Sequence, residues 1–170
     1  AAGDVSSRID FPHAKSGVYA VRAGPVLTIN LQRALNGQEP TSYQPQKRSL
    51  YLLATGTGLA PFLSVIHDPE TYERFEKVVL VHGVRFASEL AYTGFITGEL
   101  PHNEFFGEQV REQLIYYPTV TREPFINTGR ITHVIESGRL FTDIALPPLD
   151  PAHDRVMICG SPETRRHLRA

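Results

Sequence analysis

From Ser49 onward, four short apolar runs occur along the chain, and each ends at glycine or at polar residues. Continuous apolar runs of this length are typical of strands in a parallel sheet, and the first two are predicted to be buried strands. The runs are residues 50–54, 78–81, 114–120 and 156–159. Helical patterns separate them, and alternation of strand and helix indicates βαβ units. The sequence therefore predicts an α/β fold with a doubly wound parallel sheet.

Helix signals fill the intervals between these runs. Pro61 would stand in the first turn of one helix, where proline is tolerated, and Asp68 would cap the next. Helices are predicted over residues 59–67, 68–75 and 131–136, from residue 88, and after residue 162. His82 is expected to terminate the second strand and to bond backbone.

The chain divides near residue 49. Before this point the composition is mixed, and residues 17–21 and 26–31 each fit either a short strand or a helix start. Residues 41–48 have the polar composition of a linker or a loop. We therefore predict two parts: residues 1–48, which end in a linker, and a sheet domain over residues 49–170.

Composition limits the functions that the chain can have. Seventeen Lys and Arg residues against 18 Asp and Glu residues give a net charge of −1, which argues against nucleic acid or a membrane as main partner. The N-terminus has no signal-peptide pattern. The single cysteine, Cys159, favours a reducing, cytoplasmic location. The seven histidines lack metal-binding spacing, so we expect no metal site.

Parallel sheets bind ligands beyond the carboxyl ends of their strands, so the segments after the runs are the candidate sites. The first segment is Thr55, Gly56, Thr57 and Gly58, followed by Pro61. Glycines between a strand and a helix allow close approach to a pyrophosphate, and the helix N-terminus offers free amides. Because Pro61 replaces the last glycine of G-x-G-x-x-G, a tight structural turn remains the alternative.

Three arginines follow at compatible positions: Arg85, Arg122 and Arg130. In dinucleotide-binding domains an acid near the end of the second strand bonds the ribose 2′-hydroxyl, whereas an arginine accommodates a 2′-phosphate. Guanidinium groups suit phosphate because they bind it in a bidentate way. Arg85 therefore indicates NADP. The alternative is that the three arginines are dispersed surface charges.

The segment Cys159, Gly160 and Ser161 follows the last run. A lone cysteine at a strand end is more often a small buried apolar residue than a nucleophile, so we infer no Cys-His mechanism. The chain also lacks a P-loop and a G-x-S-x-G nucleophile elbow.

Four separated segments, in order, resemble a known family: LLATGTGLAPFLSVIHDPETYERFEKVVLVHGVR, LIYYPTVTRE, GRITHVIESGRLF and MICGSP. Over roughly residues 49–165 they resemble the NADP-binding domain of bacterial ferredoxin–NADP reductases. In that family a separate N-terminal β-barrel binds FAD, hydride passes between NADP(H) and FAD, and single electrons leave to ferredoxin or flavodoxin. The resemblance implies the same cofactors and partners here.

The resemblance also implies a role for each candidate residue. The loop that faces the pyrophosphate and the nicotinamide would comprise Thr55, Gly56, Thr57, Gly58 and Pro61. The side chains that hold the adenosine 2′-phosphate would be Arg85, Arg122 and Arg130. The segment beside the nicotinamide would be Cys159, Gly160 and Ser161. The catalytic role of Cys159 would be steric and electrostatic positioning near the reacting carbon.

The first 48 residues depart from the family. The R-x-Y-[ST] motif that holds the flavin is absent, and residues 24–32 only faintly resemble the segment that contacts the FAD pyrophosphate. An antiparallel barrel needs about six or more strands, which 48 residues cannot supply. We therefore predict that residues 1–48 are a partial remnant of the FAD domain and that this chain binds FAD weakly or not at all.

Three functions fit these observations. The first is a ferredoxin/flavodoxin–NADP(+) reductase, which the segment ending in HGVR favours. The second is an NADP-binding module without its own flavin, inactive as an isolated chain. The third is a related flavoprotein reductase that passes electrons to an oxygenase or a haem.

Overall fold

The computed structural model describes residues 17–41 and 49–161. Contacts divide the chain into two units, Ala1–Gln46 and Lys47–Ala170. In the first unit, Gly17–Leu35 forms one helix, α1. The two segments that fitted either a strand or a helix start are therefore parts of a single helix. Residues 17–41 contain no strand, so the barrel remnant is not confirmed.

Local bonds explain how α1 ends. Gly37 has a φ of 66°, which glycine adopts without steric cost, and its N–H donates to the Ala34 carbonyl at 3.1 Å. The side chain of Asn30 then bonds both backbone groups of Thr41, at 2.8 and 2.7 Å. These bonds fold the residues after the helix back along it.

The second unit contains a sheet of four parallel strands, whose spatial order is β3-β2-β1-β4. The strands are β1 (Ser49–Thr55), β2 (Lys77–Val84), β3 (Leu114–Val120) and β4 (Arg155–Cys159). All four apolar runs are confirmed as strands. His82 lies inside β2 rather than at its end.

Within residues 49–161, five α-helices accompany the strands. They are α2 (Ala60–Ile66), α3 (Pro69–Arg74), α4 (Gly107–Gln113), α5 (Ile131–Glu136) and α6 (Arg139–Asp143). Three predicted helices are confirmed as α2, α3 and α5, and the Asp68 carboxylate accepts the Glu70 N–H as expected of a cap. The predicted linker falls almost entirely in residues 42–48, and the last predicted helix falls in residues 162–170. Both segments lie outside the described residues.

The helix predicted from residue 88 is wrong. Ala87–Glu89 forms one 3₁₀ turn, and the chain then turns at Tyr92, whose φ is 60°. The Glu89 carboxylate accepts the N–H groups of Arg85 and Phe86 and so caps the start of this turn. The left-handed backbone of Tyr92 is incompatible with a right-handed helix that continues through it. Helical structure resumes in the π turn Phe95–Glu99 and the 3₁₀ turn Leu100–His102.

Helices cover both faces of the sheet. Leu50, Leu52, Val78 and Leu80 pack on one face under side chains of α2, α3 and α4, and the alternate residues of β1 and β2 pack on the other under α5 and α6. These strand residues are at most 3% exposed, which explains why the runs are apolar without alternation. Within the described residues, every helix is too short or too polar to span a bilayer.

The strand order reverses at β1. The chain passes from β1 to β2 and β3 on one side, and β4 then pairs with β1 on the other. Open α/β sheets bind ligands at such a topological switch point, outside the carboxyl ends of the strands. The fold therefore places the candidate site at Thr55 and Cys159.

Candidate functional site

The switch point joins two segments that are far apart in sequence. Ala54 of β1 pairs with Cys159 of β4, and the Ser161 N–H donates to Thr55 Oγ1 at 3.0 Å across 106 positions. The loop of residues 55–58, here called the glycine loop, thus adjoins residues 159–161, the Cys159 segment. The structure brings together these two predicted parts of the site.

Two glycines allow this close approach. A Cβ at Gly58 would lie 2.2 Å from the Cys159 carbonyl oxygen, and one at Gly160 would lie 1.9 Å from Thr55 Oγ1. Real Cβ contacts are essentially never shorter than 3.0 Å. Gly58 and Gly160 are therefore required for contact between the ends of β1 and β4.

Gly56 has a different environment. Its φ is 52°, in the left-handed region that favours glycine, and a Cβ there would meet nothing within 4 Å. The backbone at Gly56 consequently borders open space, and the neighbouring Thr57 is exposed. The glycine loop continues through the 3₁₀ turn Gly56–Leu59 into α2, with Pro61 in its first turn as predicted.

A buried imidazole supports the glycine loop. The His82 side chain is 1% exposed, its Nδ1 lies 3.2 Å from the Tyr116 hydroxyl, and its ring forms a hydrogen bond with the Gly56 backbone. Burial lowers the pKa of His82, and the Gly56 bond opposes that effect without reversing it. The only sign of this role in the sequence is a histidine within an otherwise apolar strand.

The carboxyl ends of β2 and β3 carry the predicted arginines. The Arg122 N–H donates to the Arg85 carbonyl at 2.9 Å, so the two residues are linked through their backbones. Arg130 precedes α5, and the Gly129 N–H donates to the Val120 carbonyl at the end of β3. All three arginines are exposed, and all three follow the carboxyl ends of β2 and β3.

Arg85 forms an ion pair that the sequence analysis missed. Glu89 Oε1 accepts from Arg85 Nε at 3.1 Å and from Nη2 at 2.7 Å. The pairing raises the pKa of Arg85 and lowers that of Glu89, chiefly through these side-chain hydrogen bonds. The spacing of four residues between opposite charges was the available signal.

Known proteins resemble the chain in sequence. The family model of the oxidoreductase NAD-binding domain matches residues 52–169. A ferredoxin–NADP reductase of Pseudomonas aeruginosa is 70% identical over 115 residues, which cover 68% of this chain and 45% of that protein. A ferredoxin–NADP reductase of Azotobacter vinelandii is 58% identical over 153 residues, which cover 84% of this chain and 59% of that protein.

A solved structure resembles the chain in fold. It is a ferredoxin NADP+ reductase from Neisseria gonorrhoeae with bound FAD and NADP, with a TM-score of 0.60 and 30% identity. The match covers 74% of this chain and 49% of that one. This chain thus spans about half the length of the relatives it matches.

Proposed function

The chain belongs to the oxidoreductase NAD-binding domain family and, within it, to the bacterial ferredoxin–NADP reductases; from this membership we propose that it is the NADP(H)-binding part of such a reductase. The observation that supports the proposal is the contact between the glycine loop and the Cys159 segment at the switch point. Family and fold alone do not define a site, so the proposal is supported by this geometry as well.

The glycine loop is proposed to bind the pyrophosphate and the nicotinamide end of NADP(H). Open space beside Gly56 accepts the ligand, and the backbone there is exposed to it. The hydrogen bonds of His82 and of Thr55 hold the loop in one conformation before the ligand arrives. Such preorganisation reduces the entropy lost on binding.

The Cys159 segment is proposed to orient the nicotinamide. Cys159 is half-buried, and its backbone is fixed by pairing with Ala54. The nicotinamide and the flavin, when bound, supply the hydride donor and acceptor. A hydride transfer depends on alignment of the two rings, so Cys159 contributes by contact and by exclusion of water, without a proton transfer of its own.

The three arginines are proposed to bind the adenosine 2′-phosphate. They lie at the edge formed by β2 and β3, where an arginine accommodates this group in dinucleotide-binding domains. Guanidinium groups bind phosphate through parallel hydrogen bonds. Arg85, Arg122 and Arg130 would therefore favour NADP over NAD.

The flavin and the electron acceptor complete the proposal. We propose FAD as second cofactor, ferredoxin or flavodoxin as acceptor, and a cytoplasmic location. Residues 17–41 consist of α1 and the turn after it, and they contain no barrel strand that would hold a flavin. This favours a second candidate, in which the chain alone is an NADP-binding module without its own flavin.

Calorimetric titration with NADP and with NAD tests the cofactor assignment. We expect NADP to bind more tightly, and we expect Arg155→Ala, at the opposite edge of the sheet, to leave both affinities unchanged. Equal binding of the two nucleotides, or binding of neither, would contradict the proposal. A visible spectrum after incubation with FAD separates the two candidates: retained flavin with NADPH-dependent dye reduction supports the reductase, and a colourless protein supports the module.

A further inference from the structure

Two carboxylates accept hydrogen bonds from the backbone of the segment that contains Arg85. One of the two, Glu123, belongs to the segment that contains Arg122. Glu89 Oε2 accepts the N–H of Arg85 at 2.9 Å and that of Phe86 at 3.4 Å, while Oε1 holds the Arg85 guanidinium. From the loop after β3, Glu123 Oε1 accepts the Ala87 N–H at 2.5 Å. We call residues 84–89 and 121–123 together the arginine rim.

The Glu89 carboxylate is fully used within the rim. A carboxylate has about four acceptor positions, and the Arg85 side chain and two backbone N–H groups fill them. Its negative charge is therefore directed at Arg85 and is not available to a ribose hydroxyl. The same group fixes both the backbone turn and the guanidinium that extends from it.

The Arg85 guanidinium keeps capacity for a ligand. It has five N–H donors, and its bonds to Glu89 use those of Nε and one of Nη2. Because Arg85 remains exposed, its other donors face solvent, where a phosphate can reach them. An arginine held in this way loses less rotamer freedom on binding than an unrestrained one.

The two loops of the rim are also bonded to each other. The Thr121 N–H donates to the Val84 carbonyl at 3.1 Å, and the Arg122 N–H donates to the Arg85 carbonyl at 2.9 Å. The bond from Ala87 to Glu123 is a third connection. Together these bonds set the distance between the backbones of Arg85 and Arg122.

We propose that Glu89 and Glu123 are positioning residues for the 2′-phosphate, so that selectivity for NADP depends on two acids that do not touch the cofactor. This inference rests on the proposed function. If the acids positioned nothing, their charge would only repel a phosphate, and their removal would strengthen its binding. Positioning predicts the opposite sign.

The experiment is calorimetry of the chain with 2′,5′-ADP (adenosine 2′,5′-bisphosphate) and with 5′-AMP, which differs from it only by the missing 2′-phosphate. We expect Glu89→Ala to reduce the ratio of the two affinities about three- to fivefold, and Glu123→Ala to reduce it about twofold, through weaker binding of 2′,5′-ADP alone. Glu89→Gln keeps an oxygen acceptor for the backbone and should restore part of the ratio. Glu112 is an exposed acid of α4 that lies before the amino end of β3, whereas the rim lies beyond the carboxyl ends of the strands. Glu112→Ala should leave the ratio of the two affinities unchanged.

Arginine variants separate failure of this inference from failure of the proposed function. Arg85→Ala should reduce the ratio by itself, and adding Glu89→Ala to it should cause no further loss, because Glu89 acts through Arg85. If Arg85→Ala reduces the ratio while Glu89→Ala leaves it unchanged or raises it, the positioning role is wrong. If Arg85→Ala also has no effect, the assignment of the 2′-phosphate site is wrong.

Discussion

The switch point and the arginine rim use different physics to prepare the two ends of one proposed ligand site. At the switch point, the backbone carries the geometry: two glycines let the ends of β1 and β4 touch, and a buried histidine supports the loop. At the rim, the hydrogen bonds of exposed charged side chains determine the geometry. A close-packed site tolerates almost no added volume, whereas an exposed charged site tolerates changes of shape but depends on charge and salt.

The largest expected effect is that of added volume at the switch point. Gly58→Ala places a Cβ 2.2 Å from the Cys159 carbonyl, so β4 must move away from β1. We expect the free energy of unfolding to fall by about 1–3 kcal/mol or more, and NADP binding to be lost. Denaturant unfolding measures the first and calorimetry the second.

Gly94→Ala is the matched control for that variant. A Cβ at Gly94 meets nothing within 4 Å, and its backbone φ of −59° suits alanine, so stability should stay the same or rise. If both variants were equally stable, the close packing at the switch point would not govern the site.

Removing charge at the rim should affect binding without affecting folding. In the double variant Arg85→Ala and Arg122→Ala, we expect NADP binding to weaken by about one to two orders of magnitude, with NAD binding and the unfolding midpoint nearly unchanged. Both side chains are exposed, so their loss leaves no cavity. Unchanged NADP affinity would remove the 2′-phosphate assignment.

Acid should destabilise the switch point through His82. Burial lowers the pKa of this imidazole in the folded state, whereas in the unfolded chain it is about 6.5. Below pH 6.5 the unfolded state therefore binds a proton that the folded state resists, and the free energy of unfolding falls as pH decreases. Urea unfolding at pH 7.5, 6.5 and 5.5 should show a weaker acid dependence for His82→Asn than for the unchanged chain.

The smallest expected effect is that of salt, and it should act on the rim alone. Raising the ionic strength from about 0.05 to 0.5 M should weaken 2′,5′-ADP binding several-fold, because exposed charges are screened. The free energy of unfolding of Gly58→Ala relative to the unchanged chain should not respond, since that difference is steric. A salt-independent preference for the 2′-phosphate would mean that the arginines do not recognise it by charge.

Much of the sheet could be predicted from local sequence, most directly for β1 and β2, whose burial on both faces requires continuous apolar runs. Each apolar run became a strand, and the ends of the runs located the glycine loop, the Cys159 segment and the arginines. The signals failed where two structures fit equally well. Residues 17–35 became one helix, and the helix expected from residue 88 became a single 3₁₀ turn, after which Tyr92 adopts a left-handed backbone.

The sequence by itself determined which segments form strands and which polar segments follow them, because both depend on the order of residues along the chain. It did not determine burial, since Val156 and Met157 of β4 are 43% and 44% exposed. Only the tertiary structure decided that β4 lies beside β1, since apolar runs do not encode strand order. That order brings Ser161 to Thr55 across 106 positions and makes Gly58 and Gly160 indispensable. Likewise, the hydrogen bond from the Ala87 N–H to Glu123 Oε1 forms only because β3 pairs with β2.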